Sequence, residues 1–285
     1  MMKRMEQISF SSGAHRQAKN RALRPLGQFN SVFNLPTSRP KKSLGQNFLM
    51  HARIAERIAD TAKLEPDTVV LEIGPGTGML TRELLKKVKK VIAVEADYEL
   101  FEKLQNDFGD EIAEGKLELV HSDIRVFNIS SLPRGYALVA NIPYYLTGEI
   151  FRLFLESENQ PSAITLLVQK EVAERIARNK KESILSLSVK TYGTPKYEFA
   201  VKRGAFKPAP KVDSAVLTIR NISREKFPTK REEELFFKLI HAGFAHKRKF
   251  VRKNLADEGL PQGDIPEKAR AEDLPLSAWL ALATK

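Results

Sequence analysis

Short apolar runs alternate with amphipathic stretches through the middle of the chain. The runs that predict buried strands are TVVLEIG (68–74), KVIAVEAD (90–97), KLELVHSD (116–123), YALVANIP (136–143) and AITLLVQK (163–170). The stretches that predict helices begin at Ile54, whose spacing to Ile58 and Ala62 is helical, and continue with GMLTRELLKKV (78–88), YELFEKLQNDF (98–108) and GEIFRLFLES (148–157). This alternation is typical of an α/β fold with a parallel sheet and helices on both faces.

The pattern changes in the last third of the chain. The segment EVAERIA (171–177) precedes two strand-like runs, ILSLSVKTYG (184–193) and KVDSAVLTIR (211–220). One helical stretch, EEELFFKLIHAGFAHKRKFVRKNL (232–255), carries strongly basic residues at its end, and LSAWLALAT (276–284) predicts a final helix. We therefore expect an N-terminal arm at 1–40, an α/β domain at 41–215 and a small helical domain at 216–285.

The net charge of +12 is concentrated at the two ends of the chain. Residues 1–45 hold nine Lys or Arg against one acidic residue, 46–200 hold 20 against 23, and 201–285 hold 18 against 11. Basic ends around a near-neutral middle indicate polyanion-binding attachments on a catalytic body, although basic surfaces also aid solubility. The arm lacks periodicity, so we expect disorder there. Its Arg- and Ser-rich composition resembles a mitochondrial transit peptide, which keeps a mitochondrial location open beside a cytoplasmic one.

Composition excludes several classes of protein. The chain is 42% hydrophobic and 29% charged, which is typical of a globular protein. No apolar run approaches the ~20 residues that span a bilayer, so we expect no membrane segment. The absence of cysteine excludes disulfides, thiolate nucleophiles and Cys-ligated zinc, and the five histidines are scattered. We expect a monomer without a metal site.

The segment LEIGPGTGML contains three glycines, Gly74, Gly76 and Gly78, between a predicted strand and a predicted helix. Removal of Cβ at alternate positions lets the backbone turn sharply and approach a ligand. Glu95 ends the next strand, where its carboxylate is placed to accept the two hydroxyls of a ribose, and Asp123 ends the third strand at the same edge. The pattern predicts a nucleoside-binding site.

A dinucleotide site is the competing interpretation, but its fingerprint is G-x-G-x-x-G and this loop is G-x-G-x-G. Glu72 lies just before the loop, and a carboxylate there favours a ligand with positive charge. S-adenosylmethionine combines a ribose, an adenine, a sulfonium and an ammonium, so it gives all three carboxylates a partner. A glycine-rich turn without any ligand is the structural alternative.

The segment NIPYYL (141–146) follows an apolar run with an amide, a proline and two tyrosines. Asparagine and proline are unfavourable in a buried strand, so the strand is expected to end here. They suit a loop that binds a flat, hydrogen-bonding ring, or an ordinary proline turn with tyrosines packed at its edge.

Seven segments occur in the order found in KsgA-type small-subunit rRNA adenine dimethyltransferases, a family that the chain therefore resembles. They are KKSLGQNFL, LEIGPGTG, VEAD, HSDI, NIPYYLT, FKPAPKVDSAV and GFAHKRKFVRKNL, within about residues 40–255. The resemblance implies a seven-stranded, Rossmann-like class I methyltransferase sheet with a small helical C-terminal domain. It also implies methylation of adenosine N6, at two adjacent adenosines near the 3′ end of small-subunit rRNA, during ribosome biogenesis.

The resemblance assigns roles to particular residues. The residues implied in cofactor binding are Gln46, Asn47, Leu49, Glu72, Gly74, Gly76, Gly78, Glu95, Asp123, Ile124 and Asn141. Asn141 and the Ile142 carbonyl would accept the two N–H bonds of the target amine, on a turn fixed by Pro143. Tyr144 would stack on the flipped base, with Phe206 as the second face of the sandwich.

Basic residues near the end of the predicted helix would bind the small ribosomal subunit and its rRNA. They are Lys247, Arg248, Lys249, Arg252 and Lys253. A large-subunit rRNA methyltransferase of the antibiotic-resistance type stays open, because it shares the cofactor loop and the N-I-P-Y turn, and Ile142 and the LT after Tyr145 are closer to its pattern. Tyr145 itself stands where many KsgA-type proteins have asparagine, which leaves the detail of the pocket open. A non-enzymatic relative, such as a mitochondrial transcription factor, is the alternative from another class of protein, and an adenine methyltransferase of DNA is a further one.

Overall fold

A seven-stranded sheet lies at the centre of residues 45–284, the part of the chain that this computed structural model describes. The strands are β1 (Phe48–Leu49), β2 (Val69–Ile73), β3 (Lys90–Glu95), β4 (Leu117–His121), β5 (Ala137–Asn141), β6 (Ala163–Gln169), β7 (Thr194–Val201), β8 (Phe206–Lys207) and β9 (Ser214–Arg220). The order in the large sheet is β4-β3-β2-β5-β6-β9-β7, while β1 and β8 form a separate antiparallel pair. The predicted arm at 1–40 lies outside the described residues.

The strands β2 to β6 pair in parallel with one another, and β9 runs antiparallel to both β6 and β7. The α/β class and the seven strands that the resemblance implied are confirmed. The expectation of a purely parallel sheet is wrong at one edge. There the chain passes from β7 to β9 without a crossover helix, and strands joined in this way run antiparallel.

Ten helices surround this sheet in the described residues. They are α1 (Ala52–Ala62), α2 (Met79–Leu85), α3 (Tyr98–Asp107), α4 (Gly109–Ala113), α5 (Thr147–Leu155), α6 (Lys170–Ala177), α7 (Ile184–Tyr192), α8 (Lys230–Phe244), α9 (Val251–Asp257) and α10 (Leu276–Ala283). Within residues 45–284 no helix combines the length and apolarity needed to cross a membrane.

The predicted strand at 184–193 is wrong, because this segment forms α7. Its alternation of apolar residues with serine imitates a strand, but Ser183 and Ser186 form a reciprocal capping box that starts a helix. Gly193 ends the helix, with its N–H donating to the carbonyl of Val189. The strand that pairs at the sheet edge is β7, which the sequence pattern did not predict.

The predicted single helix at 232–255 is also wrong, because the structure breaks it between α8 and α9. The side-chain amide of Asn254 donates to the carbonyls of Gly243, at 2.7 Å, and His246, at 3.3 Å. It thereby satisfies carbonyl groups that a continuous helix would use. A Cβ on Gly243 would lie 2.3 Å from the Trp279 ring, so the end of α8 packs closely on α10.

Alternate residues of the buried strands face two separate hydrophobic clusters. Leu71 and Leu138 belong to the cluster that contains α5 and α7, and Val70 and Val139 belong to the cluster that contains α1 and α2. The prediction of helices on both faces is therefore confirmed. The first cluster continues into α8, α9 and α10 and includes the fully buried Trp279.

Candidate active site

A pocket opens at the carboxyl ends of β2, β3, β4 and β5, the edge at which open α/β sheets bind ligands. Its lining consists of 45–49, 72–77 with Met79 and Leu80, 94–96 with Leu100, 122–125, and 141–146. The fold thus brings together the glycine loop, the strand-end carboxylates and the NIPYYL turn, which lie far apart in the sequence.

All three glycines of the loop have positive φ, at 63° for Gly74, 60° for Gly76 and 75° for Gly78. Gly74 and Gly76 line the pocket, and a Cβ on Gly76 would lie 3.2 Å from the ring of Phe48. Gly78 lies outside the lining, directly before α2, and a Cβ there would lie 2.5 Å from the ring of Phe108. The structure thus explains Gly78 by close packing between α2 and α3.

The carboxyl group of Glu72 is buried beneath the loop, with 1% of the residue exposed. Its Oε2 has no hydrogen-bond partner within the described chain. Burial raises the pKa of this carboxyl to about 8, while the hydroxyl of Thr81 lowers the pKa and the carboxylate of Glu95 raises it further. A buried carboxyl oxygen without a partner favours a cationic ligand.

The carboxylate of Glu95 is fixed by two backbone groups. Oε2 accepts from the N–H of Gly76 at 3.0 Å, and Oε1 accepts from the N–H of Asp97 at 2.9 Å. Burial raises the pKa of Glu95, and these two hydrogen bonds lower it. Each oxygen retains a further acceptor site for a ligand hydroxyl.

Asp123 lines the pocket two residues after β4, next to the buried Ile124. Its carboxylate accepts hydrogen bonds from Arg125, through the backbone N–H at 2.9 Å and through Nε at 3.0 Å and 3.1 Å. The hydrogen bonds from the Arg125 side chain are the main cause that holds the pKa of Asp123 below its ordinary value. The carboxylate therefore stays ionised at neutral pH.

Asn141 is the last residue of β5 and lines the pocket. Its Nδ2 donates to the carbonyl of Asn47 at 3.3 Å, which orients the amide and leaves Oδ1 as an acceptor. Ile142 and Pro143 follow in the lining, and the N–H of Leu146 closes the turn on the Pro143 carbonyl at 3.0 Å. The amide of Asn141 and the backbone of Ile142 are therefore adjacent in the pocket lining.

Tyr144 follows Pro143 and lines the pocket. Its hydroxyl shares a 2.6 Å hydrogen bond with Ser214 at the start of β9, and burial raises its pKa. The neighbouring Tyr145 is 60% exposed at the pocket. One tyrosine is therefore fixed and the other is open to solvent.

The segment 45–49 forms one wall of the pocket. Gln46 donates from Nε2 to Oδ2 of Asp97 at 2.9 Å, and Asn47 donates from Nδ2 to the carbonyl of Gly45 at 3.0 Å. Leu49 pairs with Phe206 between β1 and β8.

Phe206 lies outside the pocket lining, unlike Tyr144, its predicted partner in the base sandwich. It is 4% exposed and packs in the same hydrophobic cluster as Leu49, Val201 and Ala205. The pairing of β8 with β1 sets Phe206 opposite Leu49, and both belong to this cluster. Tyr144 and Phe206 therefore do not form an open sandwich in this structure.

Several residues of the pocket wall or of its support had no role assigned from the sequence. Among them are Phe48, Asp97, Arg125 and Tyr145. Asp97 had a local signal, because Asp before a helical pattern is a capping residue and its side chain accepts from the N–H of Glu99. No sequence pattern predicted a role for Arg125 in the pocket, apart from its position two residues after Asp123.

The predicted RNA-binding residues lie on two local structures. Lys247, Arg248 and Lys249 are exposed in the break between α8 and α9, and Arg252 and Lys253 lie in the first turn of α9. Lys249 is 3.6 Å from Asp257, and Nε of Arg252 donates to Gln262. The expectation that all five follow one helix is wrong, because the hydrogen bonds from Asn254 to the carbonyls of Gly243 and His246 accompany the break between α8 and α9.

Comparison with known proteins identifies similar sequences over most of the chain. The family model described as Ribosomal RNA adenine dimethylase matches residues 37–282. A curated relative from Dehalococcoides mccartyi, named Ribosomal RNA small subunit methyltransferase A, is 38% identical over 274 residues, which covers 90% of this chain and 92% of the relative. A relative of the same name from Fusobacterium nucleatum is 36% identical over 255 residues, covering 85% and 96%.

Solved structures share the fold. The 23S rRNA methyltransferase ErmE has a TM-score of 0.69 at 27% identity, covering 84% of this chain and 98% of that one. A dimethyladenosine transferase from Plasmodium falciparum has a TM-score of 0.69 at 24% identity, covering 82% and 95%. These similarities support the class I methyltransferase architecture of the sheet.

Proposed function

The chain belongs to the ribosomal RNA adenine dimethylase family, and from this premise we propose that it methylates N6 of adenosines in small-subunit rRNA with S-adenosylmethionine. The target would be two adjacent adenosines near the 3′ end of that RNA. One observation carries the proposal: a single pocket contains both the glycine loop with its carboxylates and the paired acceptors of Asn141 and Ile142.

The residues of the pocket fit the cofactor. The unpartnered, buried Oε2 of Glu72 suits the ammonium group, and the glycine loop leaves space beside it at Gly74, where a Cβ would meet nothing within 4 Å. Glu95 would accept the ribose hydroxyls, and Asp123 would accept from the adenine amine. When bound, S-adenosylmethionine supplies a methyl group on a sulfonium, which is a good leaving group.

The turn after β5 would bind the target base. An exocyclic adenine amine is a weak nucleophile, because its lone pair is delocalised into the ring. Hydrogen bonds from this amine to Oδ1 of Asn141 and to the Ile142 carbonyl would turn the lone pair out of conjugation. Stacking on Tyr144, whose ring is held by Ser214, would add about 1–3 kcal/mol.

No strong base is required in this pocket. The alkylated amine becomes acidic enough to lose its proton to water. Most of the acceleration would then come from holding the amine in the reactive orientation, which can supply about 7–11 kcal/mol. Asn141 performs this orientation while its own amide is fixed by Asn47.

The macromolecular partner would be the small ribosomal subunit. Lys247, Arg248 and Lys249 are exposed and could contact phosphates, giving an affinity that depends on salt. Bacterial relatives carry the name Ribosomal RNA small subunit methyltransferase A. We expect the protein to act as a monomer in the cytoplasm.

Methyl transfer from labelled S-adenosylmethionine to undermethylated small subunits tests the proposal, with large-subunit RNA and DNA in parallel reactions. Nucleoside analysis should give dimethyladenosine from small-subunit RNA alone. Label in the large subunit would identify an enzyme of the ErmE type, and label in DNA an adenine methyltransferase of DNA. Cofactor binding without label in any substrate would identify a non-enzymatic relative.

A further inference from the structure

The carboxylate that is proposed to receive the cofactor adenine is already hydrogen-bonded by Arg125 on both of its oxygens. Oδ1 of Asp123 accepts from the backbone N–H and the Nε of Arg125, and Oδ2 accepts from the Nε and one terminal nitrogen of the same residue. A carboxylate offers about four acceptor sites, two on each oxygen. Three N–H groups of Arg125, of which Nε–H is shared between the two oxygens, therefore occupy about three of these sites, and the guanidinium contacts both oxygens.

An adenine amine that donates to Asp123 therefore competes with the guanidinium of Arg125 for the carboxylate. The backbone N–H of Arg125 can remain in place, because it bonds Oδ1 within a local turn. The carboxylate would thus keep its orientation while its side-chain partner leaves. The exchange replaces two charge-assisted hydrogen bonds from an exposed side chain with one from the adenine amine, and its cost is small because exposed ion pairs are weak.

The guanidinium is well placed to find a second partner. The side chain of Arg125 is 52% exposed, and it lines the same pocket as Tyr145, in the turn proposed to bind the target base. The hydrogen bonds to Asp123 are the main cause that raises the pKa of Arg125. A released arginine at this position would meet a strand whose backbone carries one phosphate per nucleotide.

We propose that Arg125 alternates between Asp123 in the cofactor-free enzyme and a phosphate beside the target adenosine in the cofactor-loaded enzyme. The inference rests on the proposed function, since it takes S-adenosylmethionine and RNA as the two ligands. Arg125 is a positioning residue here, because it touches neither the methyl group nor the accepting amine. Its switch makes cofactor and RNA bind cooperatively.

The coupling must be reciprocal. Cofactor binding breaks the Arg125–Asp123 pair and makes the guanidinium available to RNA, and RNA binding likewise frees the carboxylate for the cofactor. The size of the coupling equals the strength of the pair, and exposed ion pairs are weak. We therefore expect each ligand to tighten the other about two- to five-fold.

The test uses the full chain and the reaction product S-adenosylhomocysteine, which lacks the sulfonium charge and the methyl group. Calorimetry gives its affinity, and retention of undermethylated small subunits over a potassium chloride series at fixed magnesium gives the RNA affinity with and without it. The variants are Arg125→Gln and Arg125→Lys. Lys89→Gln, an exposed lysine at the opposite edge of the sheet, is the matched control.

In the unsubstituted protein, S-adenosylhomocysteine should tighten subunit binding and steepen its log–log salt dependence by about 0.7, the value for one neutralised phosphate of a single strand. Arg125→Gln should bind S-adenosylhomocysteine about two- to five-fold more tightly and lose both effects on subunit binding. Its KM should fall for the cofactor and rise for the subunit, with kcat little changed. Arg125→Lys should restore part of the coupling, because lysine keeps the positive charge but cannot donate two parallel hydrogen bonds as the guanidinium does. Lys89→Gln should behave as the unsubstituted protein.

The inference is overturned if Arg125→Gln binds S-adenosylhomocysteine no more tightly, or if subunit binding in this variant still responds to the product. Failure of the proposed function gives a different result. In that case the unsubstituted protein would neither bind S-adenosylhomocysteine nor label small subunits, whatever residue stands at position 125.

Discussion

The burial of Glu72 makes its ionised form unfavourable for folding and leaves a carboxyl oxygen available to a ligand. Its carboxyl is buried, one oxygen has no partner in residues 45–284, and burial raises its pKa to about 8. The folded chain therefore keeps a proton that the unfolded chain, at the ordinary pKa of 4.5, has already lost. The resulting stabilisation is fully present below pH 4.5 and is lost as the pH rises to about 8.

Replacing Glu72 with Gln should remove this pH dependence. The stability of Glu72→Gln relative to the unsubstituted protein should rise by about 2–4 kcal/mol between acidic and mildly alkaline pH, because glutamine carries no charge to desolvate. Urea unfolding at a series of pH values measures the difference. Cofactor affinity should fall in the same variant. A stability difference that does not change with pH would show that Glu72 ionises without penalty in the folded protein.

Asn141 is the residue on which the proposed chemistry depends most directly. Asn141→Ala removes the amide oxygen that would accept from the target amine, so methyl transfer should fall by at least 100-fold, an effect on the order of 3 kcal/mol. Affinity for S-adenosylhomocysteine should stay within a few-fold, since Asn141 supplies only one edge of that site. Asn106→Ala, on the exposed surface of α3, is the control. Retained methylation in Asn141→Ala would remove its assigned role.

The sequence placed Glu72, Glu95 and Asn141 correctly at one edge of the sheet, because strand ends and glycine turns leave strong local patterns. It could not place Phe206 or Arg125. The position of Phe206 depends on the pairing of β8 with β1, across more than 150 residues of chain. The hydrogen bonding of Arg125 to Asp123 depends on a rotamer that no spacing reveals.

Gly74 and Gly78 lie in the turn between β2 and α2, and each position requires glycine for a different reason. Gly78→Ala should destabilise the fold by about 2–3 kcal/mol, because a Cβ there would lie 2.5 Å from the Phe108 ring at a φ of 75°. Gly74→Ala should destabilise by only about 1–2 kcal/mol, from φ alone, because a Cβ there meets nothing within 4 Å. Its larger effect should be on cofactor affinity. Thermal unfolding and calorimetry on both variants measure this, and equal effects in the two would contradict the separation.

Two elements show why the sequence pattern misled. In α7 the alternation of leucine with serine has the period of a strand, but the capping box of Ser183 and Ser186 stabilises the start of a helix. In the C-terminal region the helical pattern continues from 232 to 255, but Asn254 captures the carbonyls of Gly243 and His246 and ends α8. Local propensity was overridden by side-chain hydrogen bonds in both cases.

The C-terminal helices are held firmly against the rest of the described molecule. They share a hydrophobic cluster with the sheet, and Glu233 of α8 accepts from the hydroxyl of Tyr192 in α7 and from Arg224 at 2.9 Å. Basic residues in the break after α8 are therefore carried on a fixed support. This arrangement suits recognition of a folded RNA by shape, with a single-stranded loop reaching the pocket.

Removing three of these cations should weaken RNA binding without affecting the chemistry. The variant Lys247→Ala/Arg248→Ala/Lys249→Ala should bind undermethylated small subunits with a log–log salt slope smaller by about 0.7–0.9 for each phosphate that is no longer neutralised. Its affinity for S-adenosylhomocysteine and its unfolding temperature should change little, because all three side chains are exposed and lie away from the pocket lining. The control replaces Lys86, Lys89 and Lys116, also exposed, which removes the same charge near the opposite edge of the sheet. An equal decrease of slope in both variants would mean that RNA responds to net charge, and an unchanged slope in the first would exclude the break between α8 and α9 from the RNA interface.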